Sequence, residues 1–152
     1  MLRLPSLDEH LAAALRRLAR GALQETVLLL LSDHGTHGIW YSNEFELGAA
    51  EHKLPLLFVV APDWLLRRNP RWADALAANQ RRLVTVRDIY QTMRTLVAWP
   101  DPPPDAAAPS LLEPMPEERT CADAGIPDVY CACRNRVVPR RFPAVVDARG
   151  DG

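Results

Sequence analysis

The sequence predicts a layered α/β fold, in which helices flank a sheet of buried strands. Two stretches, Thr26–Leu31 and Leu54–Ala61, are apolar without alternation, which is typical of strands covered on both faces. Pro55 is tolerated near the start of the second stretch, where a missing backbone donor costs little. Helical patterns precede the first stretch and follow the second. This order indicates part of an α/β layered domain.

A helix from about residue 7 to residue 20 is predicted before the first strand. Ser6 and Glu9 match a capping box, in which a hydroxyl and a carboxylate three residues later satisfy backbone donors. Gly21 can end the helix in a left-handed conformation. The apolar positions recur at helical spacing, at Leu7, Leu11, Leu15 and Leu18.

Three more helices are predicted after the second strand. Residues 63–68 and 71–79 form short helices that Pro70 separates. Thr85 is the candidate N-cap of a longer helix, which Pro100 ends. The apolar face of this helix consists of Ile89, Met93, Leu96 and Val97.

Composition argues against two classes of protein. The chain has 152 residues, of which 48% are hydrophobic, and its formal net charge of −1 argues against a strongly basic nucleic-acid-binding protein. No uninterrupted apolar run approaches the roughly 20 residues that a membrane-spanning helix needs. The N-terminal residues also lack the apolar stretch of a signal peptide. We therefore expect a soluble globular protein with no nucleic-acid partner and no membrane segment.

Asp33 and His34 stand just after the first predicted strand, where α/β sheets place their ligand sites. A carboxylate oxygen beside an imidazole nitrogen is a mixed donor pair that suits zinc or manganese. Gly35 allows the backbone to turn sharply and to approach a ligand closely. The alternative interpretation is that Asp33 caps a turn and His34 is solvated.

Several short motifs occur in an order that resembles a known family. The matching residues are Ser32-Asp33-His34-Gly35, Gly48-x-x-Glu51 before Leu54-Pro55, Pro62-x-Trp64, Asn79-x-x-Arg82-Leu83, Asp88 with Thr92, and Arg119-x-Cys121-x-x-Ala124-Gly125-Ile126-Pro127 with Cys131-x-Cys133. Together they are similar to an uncharacterised, sulfatase-like domain family of the alkaline phosphatase superfamily. The resemblance covers most of the chain, from about residue 7 to residue 133.

The resemblance implies a partial alkaline-phosphatase-like layered sheet with flanking helices, followed by a loop tail rich in proline and cysteine. Residues 1–99 are then the C-terminal part of the α/β core. Residues 100–143 are a tail of the same domain and contain ten of the fourteen prolines. Residues 144–152 are expected to be a frayed terminus.

In that superfamily an adjacent Asp and His bind one metal of a two-metal site that hydrolyses phosphoric or sulfuric esters. The resemblance therefore implies that Asp33 and His34 bind a divalent metal, zinc or another. It implies a small-molecule or glycan phosphate or sulfate ester as the substrate. Glu51 matches a family position without an assigned role, whereas His37 and His52 match none. These three are candidate site-lining residues, and the alternative for the two histidines is that they are solvated.

The resemblance also leaves a gap in the catalytic machinery. In the superfamily the nucleophile and further acidic ligands lie far upstream of the Asp-His pair, whereas only 32 residues precede Asp33 here. Two ligands leave a divalent cation under-coordinated. We therefore expect a C-terminal fragment of a hydrolase that is inactive alone. The alternative is a non-catalytic α/β remnant or interaction module, which binds a partner through Arg81, Arg82, Arg87 and Arg94.

The three cysteines lie together in the tail. Because the related family is thought to act in the secretory pathway or outside the cell, the resemblance favours a disulfide from Cys121 to Cys131 or Cys133. The remaining cysteine would then pair with a part of the domain outside this chain. The alternative is a zinc-bound interaction module, in which the three cysteines and His52 hold the ion.

Overall fold

The computed structural model describes residues 4–35, 38–105 and 108–134. Within these residues the chain forms six α-helices, three 3-10 helices and one two-stranded sheet. The α-helices are α1 (Leu4–Ala19), α2 (Trp40–Glu44), α3 (Glu46–Lys53), α4 (Asp63–Arg68), α5 (Pro70–Asn79) and α6 (Val86–Ala98). The strands are β1 (Leu28–Leu31), which precedes α2, and β2 (Leu57–Val60), which lies between α3 and α4. The 3-10 helices are Ala22–Gln24, Asp128–Tyr130 and Ala132–Arg134.

The two strands pair antiparallel, with Leu28 opposite Val60 and Leu31 opposite Leu57. Both predicted strands and the mixture of helices with a sheet are therefore confirmed. The predicted burial on both faces is not observed, because Leu31, Phe58 and Val60 are exposed. A two-stranded ribbon has an open edge on each side and few neighbours over its faces. Layering of the alkaline phosphatase kind stays a prediction.

Helices α2 and α3 approach each other closely in the segment that joins the strands. A Cβ atom added to Gly48 would lie 2.2 Å from the carbonyl oxygen of Tyr41, which is much shorter than a normal contact. Gly48 is buried, together with Ser42 and Ala50. Because any larger residue would separate the two backbones, the glycine of the Gly48-x-x-Glu51 motif has a packing role.

Helix α1 confirms the predicted N-terminal helix but begins at Leu4. Ser6 therefore lies inside the helix and not at its N-cap, so the predicted capping box is wrong. Pro5 explains the earlier start, because proline is tolerated in the first helical turn, where backbone N–H groups have no helical partner. Leu7 and Leu11 are exposed, so part of the leucine stripe of α1 is open to solvent.

Pro70 separates α4 from α5, as the sequence predicts. It is the first residue of α5, a position that favours proline because no N–H group is needed there. In α4, the indole Nε1 of Trp64 donates a hydrogen bond to the carbonyl oxygen of Gln24 at 2.8 Å. This bond ties the helix that follows β2 to the chain just before β1, so the Pro62-x-Trp64 motif closes the end of the sheet at which β1 starts and β2 ends.

Helix α6 begins with a capping box, as the Thr85 cap predicts. The backbone N–H of Thr85 donates to Oδ2 of Asp88 at 2.7 Å. The Asp88 side chain is fully buried, and Arg119 of the tail donates to both of its carboxylate oxygens, at 2.7 Å and 3.1 Å. One Asp88 carboxylate therefore caps a helix and anchors the tail, through a bidentate, charge-assisted pair.

Two further polar side chains bind the backbone of the tail. The hydroxyl of Thr92 donates to the carbonyl of Asp88 at 2.7 Å and accepts the N–H of Leu111 at 2.8 Å. The amide nitrogen of Asn79 donates to the carbonyls of Leu111 and Glu113 at 3.0 Å and 2.8 Å. Its oxygen accepts the N–H of Met115 at 2.8 Å. The family motifs at Asn79, Asp88 and Thr92 thus hold the tail on α5 and α6.

The buried face of α6 is polar, contrary to the expectation from its apolar pattern. Asp88, Gln91 and Thr92 are buried. Of the four predicted apolar residues, Ile89 and Leu96 are half-buried, whereas Met93 and Val97 are 43% and 88% exposed. Hydrogen bonds that Asp88 and Thr92 accept from the tail make burial of this polar face favourable, because buried polar groups are stable only when they have partners. Leu111, Leu112, Met115, Cys121 and Ala124 of the tail form much of the apolar core.

The start of the tail has no regular secondary structure at residues 101–105 and 108–109, as predicted. Arg94 of α6 donates to the backbone carbonyls of Pro104 and Asp105 and so holds this segment near the helix. The predicted frayed terminus, residues 144–152, lies outside the described residues. In the part of the chain that the structure describes, no helix has the length and apolar character needed to cross a membrane.

We predict that Arg119→Ala strongly destabilises the fold, because it leaves the Asp88 carboxylate buried without its cationic partner. The expected loss in the free energy of unfolding is about 3–5 kcal/mol. Chemical denaturation followed by circular dichroism measures it. Glu117→Gln is the matched control, since it weakens the Arg82–Glu117 pair, whose carboxylate is exposed, and it should have a far smaller effect. Equal losses in the two variants would contradict a special role for the buried pair.

We also predict that the contribution of Asp123 to stability depends on pH. Hydrogen bonds from the hydroxyl and the backbone N–H of Thr120 hold the pKa of Asp123 below its ordinary value. Its contribution to stability is therefore present above the ordinary pKa and is lost as the pH falls through the lowered one. Asp123→Asn should be less stable than the unmodified chain at neutral pH and equally stable in strong acid. Thermal unfolding across this range tests it, and a constant difference would refute it.

Candidate metal-ligand site

Ser32 fixes the start of the polar loop that follows β1. Its backbone N–H donates to the carbonyl of Leu56 at 3.0 Å, and its hydroxyl accepts the N–H of Leu56 at 2.9 Å. This pair of bonds continues the antiparallel pairing of the strands by one step beyond Leu31 and Leu57. The residues after Ser32 therefore leave the sheet at a defined position.

Gly35 holds the other end of this loop against the end of α3. Its backbone N–H donates to the carbonyl of His52 at 3.2 Å. A Cβ atom added to Gly35 would lie 1.9 Å from the carbonyl oxygen of Glu51, so only glycine allows this approach. Asp33 and His34 are thus held between two fixed points, the pairing at Ser32 and the contact at Gly35.

The side chains of Asp33 and His34 face each other within this loop. Oδ2 of Asp33 lies 3.4 Å from Nε2 of His34, and both side chains are exposed. Oδ1 of Asp33 accepts the backbone N–H of His34 at 2.9 Å, which orients the carboxylate. Asp33 lies at a bend, and its other carboxylate oxygen, Oδ2, is directed toward the imidazole.

The carbonyl of Gly35 orients two imidazole rings. It lies 2.7 Å from Nδ1 of His34 and 3.4 Å from Nδ1 of His52. Because a carbonyl oxygen can only accept, Nδ1 of His34 carries the proton and Nε2 carries the lone pair in the neutral ring. A backbone carbonyl that fixes the tautomer in this way is the usual partner of a metal-binding histidine.

The donor set at Asp33 and His34 fits one divalent cation. Two ligands at about 2.0–2.2 Å in tetrahedral geometry are separated by about 3.3–3.5 Å. The Oδ2–Nε2 distance of 3.4 Å lies in this range. A carboxylate oxygen and a neutral imidazole nitrogen are also ligands that zinc accepts. Asp33 and His34 can therefore hold a metal, although they supply only two ligands.

The other candidate site residues lie near this pair or outside the described residues. The His52 ring is half-buried, with its centroid 5.4 Å from that of His34. The Glu51 side chain is exposed and makes no hydrogen bond or ion pair among the described residues. His37 lies outside the described residues. Across residues 4–35, 38–105 and 108–134, three or more metal-ligand side chains come together only at the cysteines.

The cysteine cluster is a disulfide with a neighbouring thiol. Cys121 and Cys131 form the bond, with their Cα atoms 5.8 Å apart, and Cys133 is free and exposed. Of the two pairings that the resemblance allows for Cys121, the structure contains the one with Cys131. The three sulfur atoms lie within 4.8 Å of one another. A three-thiolate zinc site does not form in this state, because two of the sulfurs are bonded to each other.

Two of the four arginines considered for partner binding are engaged within the chain. Arg82 forms an ion pair with Glu117 at 2.8 Å, and this pairing holds the pKa of the Glu117 carboxyl below its ordinary value. Arg94 donates to the tail backbone, as described above. Arg81 and Arg87 are exposed. The set of four is therefore not one uniform binding face.

We predict that Gly35→Ala destabilises the chain. The new methyl group would meet the backbone at the end of α3, which costs about 1–3 kcal/mol when the backbone must shift. Gly21→Ala is the matched control, since nothing lies within 4 Å of a Cβ atom at that position. Thermal unfolding measures the loss of stability, and a Gly35→Ala variant as stable as Gly21→Ala would contradict the close approach.

Comparison with known proteins identifies a family. The family model described as "Protein of unknown function (DUF229)" matches residues 2–141. No curated protein and no solved structure matches the chain. The matched range includes the Asp33–His34 pair, the polar network around Asp88 and the three cysteines. The chain therefore belongs to DUF229, a sulfatase-like family of unknown function.

Proposed function

We propose that Asp33 and His34 bind one divalent cation, zinc or a similar ion, in a phosphatase- or sulfatase-like hydrolase site to which this chain contributes a part. The observation that carries the proposal is the 3.4 Å distance between Oδ2 of Asp33 and Nε2 of His34, with Nδ1 of His34 held by the Gly35 carbonyl. This arrangement supplies two correctly spaced donors and a fixed tautomer. Membership of a sulfatase-like family supports the reaction class.

The residues of the loop have distinct tasks in this proposal. A bound cation would activate a nucleophile and neutralise charge on the transferred phosphoryl or sulfuryl group. Asp33 supplies a negative charge through Oδ2. Its Oδ1 accepts the backbone N–H of His34, which keeps the carboxylate from rotating away. Gly35 keeps the proton of His34 on Nδ1. His52 and Glu51 are placed to line the site, because they stand at the end of α3 beside Gly35.

The described residues do not complete a hydrolytic centre. Catalytic zinc takes about three protein ligands, and Asp33 and His34 provide two. We propose that the remaining ligands and the nucleophile come from outside the described residues. The substrate would be a phosphate or sulfate ester of a small molecule or a glycan. The Cys121–Cys131 disulfide is compatible with a secreted protein and supports action in an oxidising compartment.

A metal titration tests the proposed ligands. Zinc or manganese added to the metal-free chain should bind, and Asp33→Ala or His34→Ala should weaken the affinity by about 10-fold or more, since either change removes one of two donors. Isothermal titration calorimetry measures the affinity, and circular dichroism verifies the fold. Neither variant should be digested faster by trypsin than the unmodified chain, because both side chains are exposed and their loss should leave the fold intact.

His10→Ala is the matched control for this titration. His10 is an exposed histidine in α1 and lies far along the chain from the loop, so its loss should leave the affinity unchanged. Equal affinities for the unmodified chain, Asp33→Ala and His34→Ala would contradict the proposed site. All titrations use a Cys133→Ser background with the Cys121–Cys131 disulfide verified, since a free thiolate would bind zinc elsewhere.

Activity provides a separate test. The 152-residue chain should not hydrolyse a generic aryl phosphate or aryl sulfate, because its described residues lack a complete set of metal ligands. The assay follows release of the phenol with added zinc, manganese or magnesium. Turnover by the unmodified chain that is lost on Asp33→Ala would contradict the expected inactivity, and it would support the metal ligand.

The exposed apolar face of α6 favours a second candidate function, a non-catalytic interaction module. Val97, Met93 and Tyr90 are 88%, 43% and 60% exposed on consecutive turns of the helix. Single exposed apolar residues are common, but a stripe along one helix is typical of a surface that binds another polypeptide. A chain that binds no divalent cation at Asp33 and His34 would favour this second function over the first.

A further inference from the structure

The three cysteines combine a protected disulfide with an accessible thiol. Cys121 and Cys131 are 6% and 5% exposed, so their disulfide is buried. Cys133 carries a free thiol and is exposed. All three sulfur atoms lie within 4.8 Å of one another, so the thiol is already beside the bond. The family resemblance favours the disulfide, but neither it nor the metal site requires an accessible third thiol beside the bond.

We propose that these residues form a thiol–disulfide exchange site, in which Cys133 is the attacking thiol. The Cys133 thiol gives its proton to water, and the resulting thiolate attacks the sulfur of Cys121 to form a Cys121–Cys133 bond. The Cys121–Cys131 bond breaks, its electron pair stays on the Cys131 sulfur, and that sulfur takes a proton from water. One disulfide and one thiol are present before and after the step, so it needs neither an oxidant nor a reductant.

Backbone hydrogen bonds make Cys121 the fixed partner in this exchange. Its carbonyl accepts the N–H of Ile126 at 2.8 Å, and it follows Arg119, which is anchored on Asp88, by two residues. Cys131 and Cys133 are separated only by Ala132. A short local movement of the 3-10 segment Ala132–Arg134 can therefore bring the Cys133 sulfur to Cys121 in place of the Cys131 sulfur, while Cys121 and Arg119 stay in place.

The exchange opens a route between the buried disulfide and solvent. Small thiols and the thiols of other proteins cannot readily reach the sulfurs of Cys121 and Cys131, because both are buried. After exchange the disulfide contains the sulfur of Cys133, which is exposed in the starting state. A glutathione-type thiol can then attack that sulfur and reduce the tail. Cys133 is thus the point at which external thiols and disulfides react with this chain.

Reduction kinetics of the full chain test the proposal. Reduced glutathione should reduce the disulfide several-fold more slowly in Cys133→Ser than in the unmodified chain, because the route through Cys133 is lost. All three cysteines lie on one tryptic peptide, residues 120–134, so differential alkylation and tandem mass spectrometry can follow each sulfur. The same peptide verifies that Cys133→Ser retains the Cys121–Cys131 bond before the reductant is added.

A second variant tests whether the alternative bond can form. In Cys131→Ser, the proposal expects Cys121 and Cys133 to join in a disulfide under mild oxidation, and tandem mass spectrometry of the same peptide detects it. Circular dichroism verifies that the variant is folded. Equal reduction rates for the unmodified chain and Cys133→Ser would overturn the proposal. Two free thiols in folded, oxidised Cys131→Ser would also overturn it.

Discussion

The buried Asp88 carboxylate is the constraint on which the rest of the structure depends. It accepts the Thr85 N–H at the start of α6 and two hydrogen bonds from Arg119 of the tail. A buried charge is costly unless it is paired and fully hydrogen-bonded, so α6 and the tail must meet in one arrangement. Thr92 and Asn79 then bind the tail backbone on either side of this pair. The loop-rich tail thereby becomes part of the core.

Close contacts between backbone segments position the proposed metal ligands. Ser32 continues the pairing of the strands, and Gly35 touches the end of α3, so the two residues between them have little freedom. The Gly48 contact in turn brings α2 against α3. The loop of residues 32–35, which contains the proposed metal ligands, thus depends on Gly35 and Gly48. The cysteine cluster depends instead on Arg119, which binds Asp88.

Sequence patterns predicted most secondary structure elements because these depend on local interactions. Pro70 separates two helices, Thr85 with Asp88 caps a third, and both apolar stretches form strands. The capping box at Ser6 failed because Pro5 is compatible with an earlier helix start. Motif order also predicted the sulfatase-like family. The Asp33–His34 pair was a candidate from its residue types and position, but its ligand role stays a proposal.

The sequence by itself determined both strands and helices α1, α4, α5 and α6, although it did not predict α2 and α3. It also determined which family the chain belongs to and which residue types are available for chemistry. Only the tertiary structure decided what those residues contact. The apolar pattern of α6 predicted a buried apolar face, yet the polar face is buried, because Asp88 and Thr92 find hydrogen-bond partners more than 15 positions away. The disulfide partner of Cys121 could likewise be Cys131 or Cys133 until the tertiary structure showed that it is Cys131. Pairings between distant residues depend on how the whole chain packs, and local sequence carries little information about them.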